Sequence, residues 1–492
     1  MLGALMLALA LIAIDGTVIA TAVPSIVGQL GGFSSFPWLF SAYLLTQAVT
    51  TPLYGRYADL VGRRPVLLTG IGLFVLGSLL CGVAWSMTTL IVARAVQGLG
   101  AGAVQPMVMT IVGDMYTVEE RSKVQGYIAS VWGSSAVVGP LLGGVVVEYV
   151  SWRWVFLVNL PLGAFAAWML VRRFREDVVR REHRIDWTGA ALLVAACTLL
   201  ILGLLEGGVG WAWTGAVGLA VMGAGLLLLV AFVLVERRVP EPVLPLWALT
   251  QRVLLAGNLS QVMVGVLLIG LSTFVPTYVQ SVLGTGPIVA GLAVAALTIG
   301  WPISASQAGK VYLRIGFRST ALLGSAIVVA ATAAAGLLWG PGTPVAVVAG
   351  VCFVMGIGMG FASAPVVVLI QSVVGWEQRG VVTSTNMFGR TVGSAVGAAV
   401  LGAVANATMS GRLADAPEAL RSTLPADVDA AADLLTRGDG PAALLEFVRL
   451  ALSTAMHHVF VGLSICAVVM AVAVAAMPRR ARTLTGEDVL DR

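Results

Sequence analysis

The chain has 492 residues, of which 58% are hydrophobic and 11% charged, with a formal net charge of +5. Length alone would hold about three soluble domains, but a mean hydropathy of +0.95 excludes the soluble globular class. About 20 apolar residues rising ~1.5 Å each cross a ~30 Å hydrocarbon core, and runs of that length recur along the whole chain.

Hydropathy with Gly, Pro and charge breaks predicts fourteen spans, at about 2–24, 37–57, 66–85, 88–112, 124–150, 153–172, 187–206, 213–235, 253–280, 287–308, 319–339, 343–371, 380–407 and 454–477. An even count puts both termini on one side. Of the 29 Lys and Arg, 22 follow even-numbered spans or lie in the tail, five follow odd-numbered spans, and Arg94 and Arg390 lie inside spans. The positive-inside rule makes the 22-residue side cytoplasmic. Its clusters, RRFREDVVRREHR (172–184), ERR (236–238) and PRRAR (478–482), are accounted for as solvated interfacial charge along membrane lipid, and no nucleic-acid partner is expected.

Span one opens MLGALMLALALIAIDGTVIATA, in which Ala20-Thr21-Ala22 imitates a signal-peptidase site. No basic segment precedes it and Asp15 interrupts the apolar run, so a retained helix is expected. Charge at the bilayer centre costs roughly 2.5 to 3.5 kcal/mol, so buried ionisable groups are few and purposeful. Asp15 is the candidate proton carrier: it lies about 20 Å from the cytoplasmic face at ~1.5 Å per residue, and Arg94, entering span four from the outside, reaches a similar depth. A pair is possible, and its alternative role is a permanent structural ion pair.

Between spans two and three the chain reads GRYADLVGRRP (55–65). Gly55 and Gly62 allow close approach and a tight turn, and Asp59 is placed to cap the next short helix or to pair with nearby arginines. A structural turn would explain as much. However, GKVYLRIGFR (309–318) superposes on this stretch 254 residues later, matching Gly55 to Gly309, Arg56 to Lys310, Gly62 to Gly316 and Arg64 to Arg318. The chain therefore reads as two six-helix halves with spans seven and eight inserted between them. The second copy has Leu313 where the first has Asp59.

Span five carries VVGPLLGG (137–144): Pro140 removes a backbone donor, while Gly139, Gly143 and Gly144 permit close helix approach. Glu148 and Glu206 fall at outer span ends and read as interfacial. Asn159, Asn258, Gln261, Gln280, Gln307, Gln371 and Asn386 read as interhelical hydrogen bonders more readily than as ligands. Cys81, Cys197, Cys352 and Cys466 fall in apolar runs, where a secreted disulfide framework would use loops. Spans nine to fourteen hold no carboxylate and do hold Arg390, near mid-membrane. The loop 408–453, with the helix-like pieces PEALRSTL and PAALLEFVRL, is expected outside.

Taken in order, these stretches resemble the fourteen-helix drug:proton antiporters of the major facilitator superfamily, the EmrB/QacA type. GRYADLVGRR is similar to the loop between helices two and three, LIVARAVQGLGAG (90–102) to the helix-four motif with Arg94, Gln97 and Gly98, VVGPLLGG to the antiporter motif of helix five, and AIDGTVIATAVP (13–24) to the helix-one motif. WRWVFLVNLP (152–161), IDWTG (185–189) and YVQSVLGTGPIVAG (278–291) resemble further stretches of that branch, and Arg390 resembles an arginine on its span thirteen. The resemblance implies an all-α membrane protein with the major facilitator fold. It implies an N-terminal bundle at 1–175, cytoplasmic linkers and inserted helices at 176–252, a C-terminal bundle at 253–478 with the external loop 408–453, and a cytoplasmic tail at 479–492. It assigns a conformational latch to the loop with Gly55, Asp59, Gly62, Arg63 and Arg64; beside it, proton coupling is expected at Asp15 and Arg94, and a substrate cavity that includes Gln97, Asn386 and Arg390.

The only lysines are Lys123 and Lys310, and SASQAGKV lacks the first glycine of a phosphate-binding loop, so ATP hydrolysis is not expected. Three histidines and no HExxH leave no metal site, and no cofactor is expected. A channel would want selectivity rings, and a lipid-processing enzyme would want ionisable groups clustered at one face; neither pattern is present. The expected function is proton-coupled export of lipophilic small molecules across the cell membrane by a monomer, with a lipid or natural-product exporter of the same fold as the alternative.

Overall fold

The computed structural model describes residues 1–30, 38–174, 176, 186–207, 211, 215–239, 247–417, 420, 424–425, 431, 434–435 and 440–478. Apart from one isolated bridge between Gly207 and Trp211, the described residues form helices and their connections. The helices are α1 (Leu2–Leu30), α2 (Trp38–Val61), α3 (Arg63–Gly82), α4 (Met87–Met115), α5 (Val118–Tyr149), α6 (Arg153–Leu157), α7 (Asn159–Arg173), α8 (Trp187–Glu206), α9 (Ala216–Glu236), α10 (Trp247–Thr250), α11 (Arg252–Thr277), α12 (Pro287–Ile315), α13 (Phe317–Leu338), α14 (Val345–Ser372), α15 (Arg379–Ala414) and α16 (Ala442–Ala475).

Twelve helical segments among the described residues are long and apolar enough to cross a membrane. Two expected spans fall outside that set although both are long helices: α2 has 24 residues and α5 has 32. The threonines of α2 lower its hydropathy, but Thr46, Thr50 and Thr51 return their hydroxyls to the carbonyls of Ala42, Thr46 and Gln47 at 2.7 to 2.9 Å, which keeps them satisfied inside the helix. The start of α5 is charged because Thr117 and Glu120 form a reciprocal capping box, and a similar box of Ser86 and Thr89 starts α4.

Helices reach from both sides into the stretch 408–453. Helix α15 continues to Ala414 and PAALLEFVRL is absorbed into α16, because its apolar residues continue the helical stripe: Leu444, Val448 and Leu452 are buried at helical spacing. Most of PEALRSTL, of the 172–184 cluster and of PRRAR lies outside the described residues.

The chain forms two compact units. The first comprises Met1–Asn258 with Val367–Phe388, and the second comprises Leu259–Val366 with Gly389–Met477. In the first, α4 packs along α2 and α3, α5 along α1, and α8 with α9. In the second, the apolar core includes Tyr278 stacked on Trp339 at 5.3 Å, with the edge of Phe460 against both.

The repeat is visible in backbone geometry within each unit. Gly62 (φ 100°) starts α3 and Gly316 (φ 87°) starts α13, in a left-handed region that only glycine enters cheaply. Arg64 then donates to the Val171 carbonyl at 2.8 Å, and Arg318 donates to that of Ala475 at 2.8 Å. A Cβ on Gly98 would strike the Tyr43 carbonyl, and one on Gly356 would strike that of Leu297, 254 residues beyond Tyr43. Gly102 against Thr50 and Gln47 is likewise repeated as Gly360 against Ser304 and Trp301. Both units thus bring two helix backbones together at glycines.

Candidate functional site

Two polar clusters stand out in the first unit. The first lies where α1, α3, α4 and α7 meet. Asp15 and Arg94 are each 1% exposed, and Nη1 of Arg94 lies 2.6 Å from Oδ2 of Asp15. The same Nη1 donates to Oε1 of Gln97 at 2.6 Å, and Nε donates to the Leu39 carbonyl at 3.1 Å. Gln97 Nε2 donates to Oδ1 of Asp15 and to Oγ of Ser78, both at 2.8 Å. Asn159, the first residue of α7, donates from Nδ2 to Oδ1 of Asp15 at 3.0 Å and to Ser78 at 3.3 Å. The Tyr43 ring of α2 lies under the guanidinium, 4.2 Å from Cζ. Every oxygen of Asp15 therefore meets a donor, the arrangement an ionised carboxylate needs away from water.

The second cluster surrounds Asp59, in the last turn of α2. Its carboxylate accepts the backbone N–H groups of Gly380 (3.0 Å) and Val381 (2.8 Å), in the first turn of α15. Those donors have no partner within their own helix, so Asp59 caps α15 from a distant point of the chain and meets the positive end of its dipole. Arg63 binds Asp59 at 2.9 Å and Asp114 at 3.1 Å, lies 3.6 Å over the Trp376 ring and donates to the Trp376 carbonyl. Arg379 reaches the other oxygen of Asp114 at 3.0 Å, and Arg121 and Arg379 both donate to the Gly113 carbonyl. Glu176 accepts the backbone N–H groups of Arg63 and Arg64 at 3.0 and 2.9 Å, filling the orphan donors at the start of α3. Gly55 admits no side chain: a Cβ there would meet Ser384 and the Gly380 carbonyl.

A family model described as Major Facilitator Superfamily matches residues 5–189 and 187–398. The chain belongs to the Major Facilitator Superfamily. It is similar to multidrug transporter protein MdtP of Bacillus subtilis (strain 168), at 33% identity over 86% of this chain and 78% of the relative. It is also similar to multidrug resistance protein 3 of the same organism, at 31% identity over 99% of this chain and 96% of the relative. Among solved structures, the human organic anion transporter MFSD10 (TETRAN) shares the fold, with a TM-score of 0.61 at 15% identity over 95% of this chain and 98% of that one. As a member of the Major Facilitator Superfamily with helices of membrane-spanning length, the protein is a multi-pass membrane transporter and not an enzyme.

Within this superfamily member, the structure brings Asp15, Arg94 and Gln97 into one cluster, with both ends of the Gln97 carboxamide engaged rather than free to line a cavity. Gly55, Asp59, Gly62, Arg63 and Arg64 gather at the second cluster. Gly139 packs against Thr17, whose hydroxyl donates to the Ser135 carbonyl at 3.0 Å, so α1 and α5 approach closely there. Gly143 is buried, while the side-chain surroundings of Pro140 and Gly144 lie outside the description. Asn386 Nδ2 donates to the Gly257 carbonyl and to Asn258 Oδ1 at 3.2 and 3.1 Å. Arg390 belongs to the second unit, where its backbone carbonyl accepts from the Ser394 hydroxyl at 3.2 Å.

Sequence reasoning did not single out Ser78, Asp114, Glu176, Trp376 or Arg379. The repeat could have found Arg379: Glu119 to Arg121 read EER, and 258 residues later Glu377 to Arg379 read EQR. That is the same offset that relates Gly98 to Gly356.

Proposed function

We propose that the protein is a proton-coupled exporter of lipophilic small molecules that works by alternating access, with Asp15 carrying the proton and Arg94 as its counter-charge. The observation that carries this reading is the wholly buried Asp15–Arg94 pair inside apolar helices, where a charge is retained only if it is used or permanently satisfied. The relatives named as multidrug proteins support a broad range of small-molecule substrates. The decisive experiment uses purified protein in liposomes with an imposed pH gradient. Gradient-driven substrate movement that is lost in Asp15→Asn supports the reading, and movement that is unchanged in that variant removes Asp15 from the mechanism.

In this reading all fourteen long helical segments span the cell membrane, with α8 and α9 as the inserted pair and both termini cytoplasmic. The 22-to-5 distribution of basic residues supports that orientation. Cysteines introduced at Ser410 and Val178 should label from opposite sides with an impermeant reagent. The latch is the Asp59 cap on α15, which must open and close during transport.

Substrate charge follows from the deep groups. Spans nine to fourteen supply Arg390 and no carboxylate, and Asp15 is matched by Arg94, so a desolvated cation finds no fixed counter-charge. Neutral or anionic amphiphiles, lipids among them, are the preferred class. A resistance panel in a pump-deleted host checks this. Protection against permanent dications with none against neutral or acidic drugs would overturn the assignment, and loss of protection in Arg390→Ala but not in Arg390→Lys supports a charge role.

A further inference from the structure

The three donors around Asp15 suit an ionised carboxylate and do not suit a neutral acid. A carboxylic acid carries its proton on one oxygen and must find an acceptor for it. On Oδ2 that proton would face the Arg94 guanidinium, which only donates. It therefore belongs on Oδ1, where Gln97 and Asn159 both now present N–H groups at 2.8 and 3.0 Å. One of these two amides has to present oxygen instead.

Gln97 is not free to do so. Its Oε1 is held by Arg94 at 2.6 Å, and turning the amide would aim Nε2 at the guanidinium, donor against donor. Asn159 is held differently. Its side chain is wholly buried, both of its hydrogen bonds leave from Nδ2, and its Oδ1 has no hydrogen-bond partner among the described residues. Ser78 is its complement, because that hydroxyl accepts from Gln97 and from Asn159 and is left with a proton to give. A half-turn about χ2, a soft and roughly two-fold torsion, would let Oδ1 of Asn159 accept from the Asp15 acid and from the Ser78 hydroxyl together. The titratable or charged groups facing Asp15 from neighbouring helices are Tyr43 on α2, Cys81 on α3 and Arg94 on α4; α7 brings the uncharged Asn159.

We propose that the Asn159 carboxamide is the part of this cluster that turns when Asp15 takes up its proton, exchanging Nδ2 for Oδ1 as the partner of the carboxyl group. This rests on the reading of Asp15 as the proton carrier. In the ionised state Asn159 stabilises the charge, and in the neutral state it holds the acid proton. It is thus a positioning residue for both ends of the coupling step. The proton itself comes from bulk water, and Arg94 keeps its bond to Oδ2 in both states.

The test is infrared difference spectroscopy, acid against alkaline, on the full chain in lipid vesicles with asparagine labelled at the side-chain carbonyl. The sequence holds four asparagines, Asn159, Asn258, Asn386 and Asn406, so the labelled band is simple. The expected result is a carboxylic-acid band on acidification that disappears in Asp15→Asn, accompanied by a shift of one labelled amide band that disappears in Asn159→Leu. If Asn159→Leu fails to fold, a chain with Asn258, Asn386 and Asn406 replaced by serine assigns the band with Asn159 intact. An Asp15 acid band with no shift at Asn159 overturns this inference and leaves proton coupling standing. Absence of any acid band dependent on Asp15 overturns the proton reading, and the turning amide with it.

Discussion

The loop from Gly55 to Arg64 and its copy from Gly309 to Arg318 share a backbone and differ in chemistry. Each turns through a glycine of positive φ and each sends an arginine to a carbonyl in the last turn of a later helix. Only the first has a carboxylate, Asp59, on the N–H groups of another helix; in the second, Leu313 is half exposed. The same asymmetry holds deeper in. Arg94 and Gln97 of α4 correspond, 258 residues on, to Cys352 and Met355 of α14, both buried. Duplication thus supplied two scaffolds whose glycine contacts and loop arginines still match, while the loop carboxylate Asp59 and the deep Arg94 and Gln97 have no polar counterpart in the second copy. A scaffold tolerates that divergence because close helix packing depends on backbone shape, whereas a buried charge is costly wherever it is not needed.

The largest effect expected from this asymmetry is at Asp15. Asp15→Asn should bring gradient-driven transport down to the level of empty liposomes, whereas Cys352→Ala, at the counterpart of Arg94, should leave it within about twofold. Breaking a buried pair strands the partner charge, at a cost of roughly 3 to 5 kcal/mol, so thermal unfolding must be followed in parallel. Comparable loss of transport in Cys352→Ala would erase the distinction between the halves.

Next come the features the halves share. Gly98→Ala and Gly356→Ala should each destabilise by about 1 to 3 kcal/mol, the range for forcing atoms into a filled interface, because both new methyl groups meet backbone. Equal shifts in unfolding temperature would sharpen the idea of a common scaffold. A tolerant Gly356 would break it.

Much of this was legible in the sequence for physical reasons. Asp15 and Arg94 could be paired because helical rise fixes depth, and the positive-φ glycines could be matched because the repeat retains them. Asn159 could not be placed beside Asp15. Nothing local says that α7 begins, just past the break at Val158, against the middle of α1. The Asp59 contact on α15 was hidden for a similar reason: its donors are backbone N–H groups, which leave no mark in residue identity. The full reach of α15 and α16 into 408–453 was not legible because hydropathy registers the apolar part of a helix, and α16 begins in residues that include the exposed Glu446 and Arg449.

The smallest effects are expected at the two loops. Asp59→Asn should slow transport about fivefold with substrate affinity unchanged. Asparagine keeps one acceptor for α15 but gives up the charge that meets the helix dipole, worth about 1 kcal/mol or a factor of five in an equilibrium. The loss stays modest because Arg63 retains Asp114 and the Trp376 carbonyl. In the second copy, Leu313→Asn should change the rate by less than about twofold, since half of that side chain already faces outward and the substitution removes no hydrogen bond. Rates and affinities measured side by side decide the matter. A fivefold loss at Leu313 would mean that the second loop also latches, and a large loss of affinity in a folded Asp59→Asn would mean that the first loop contributes to the binding site.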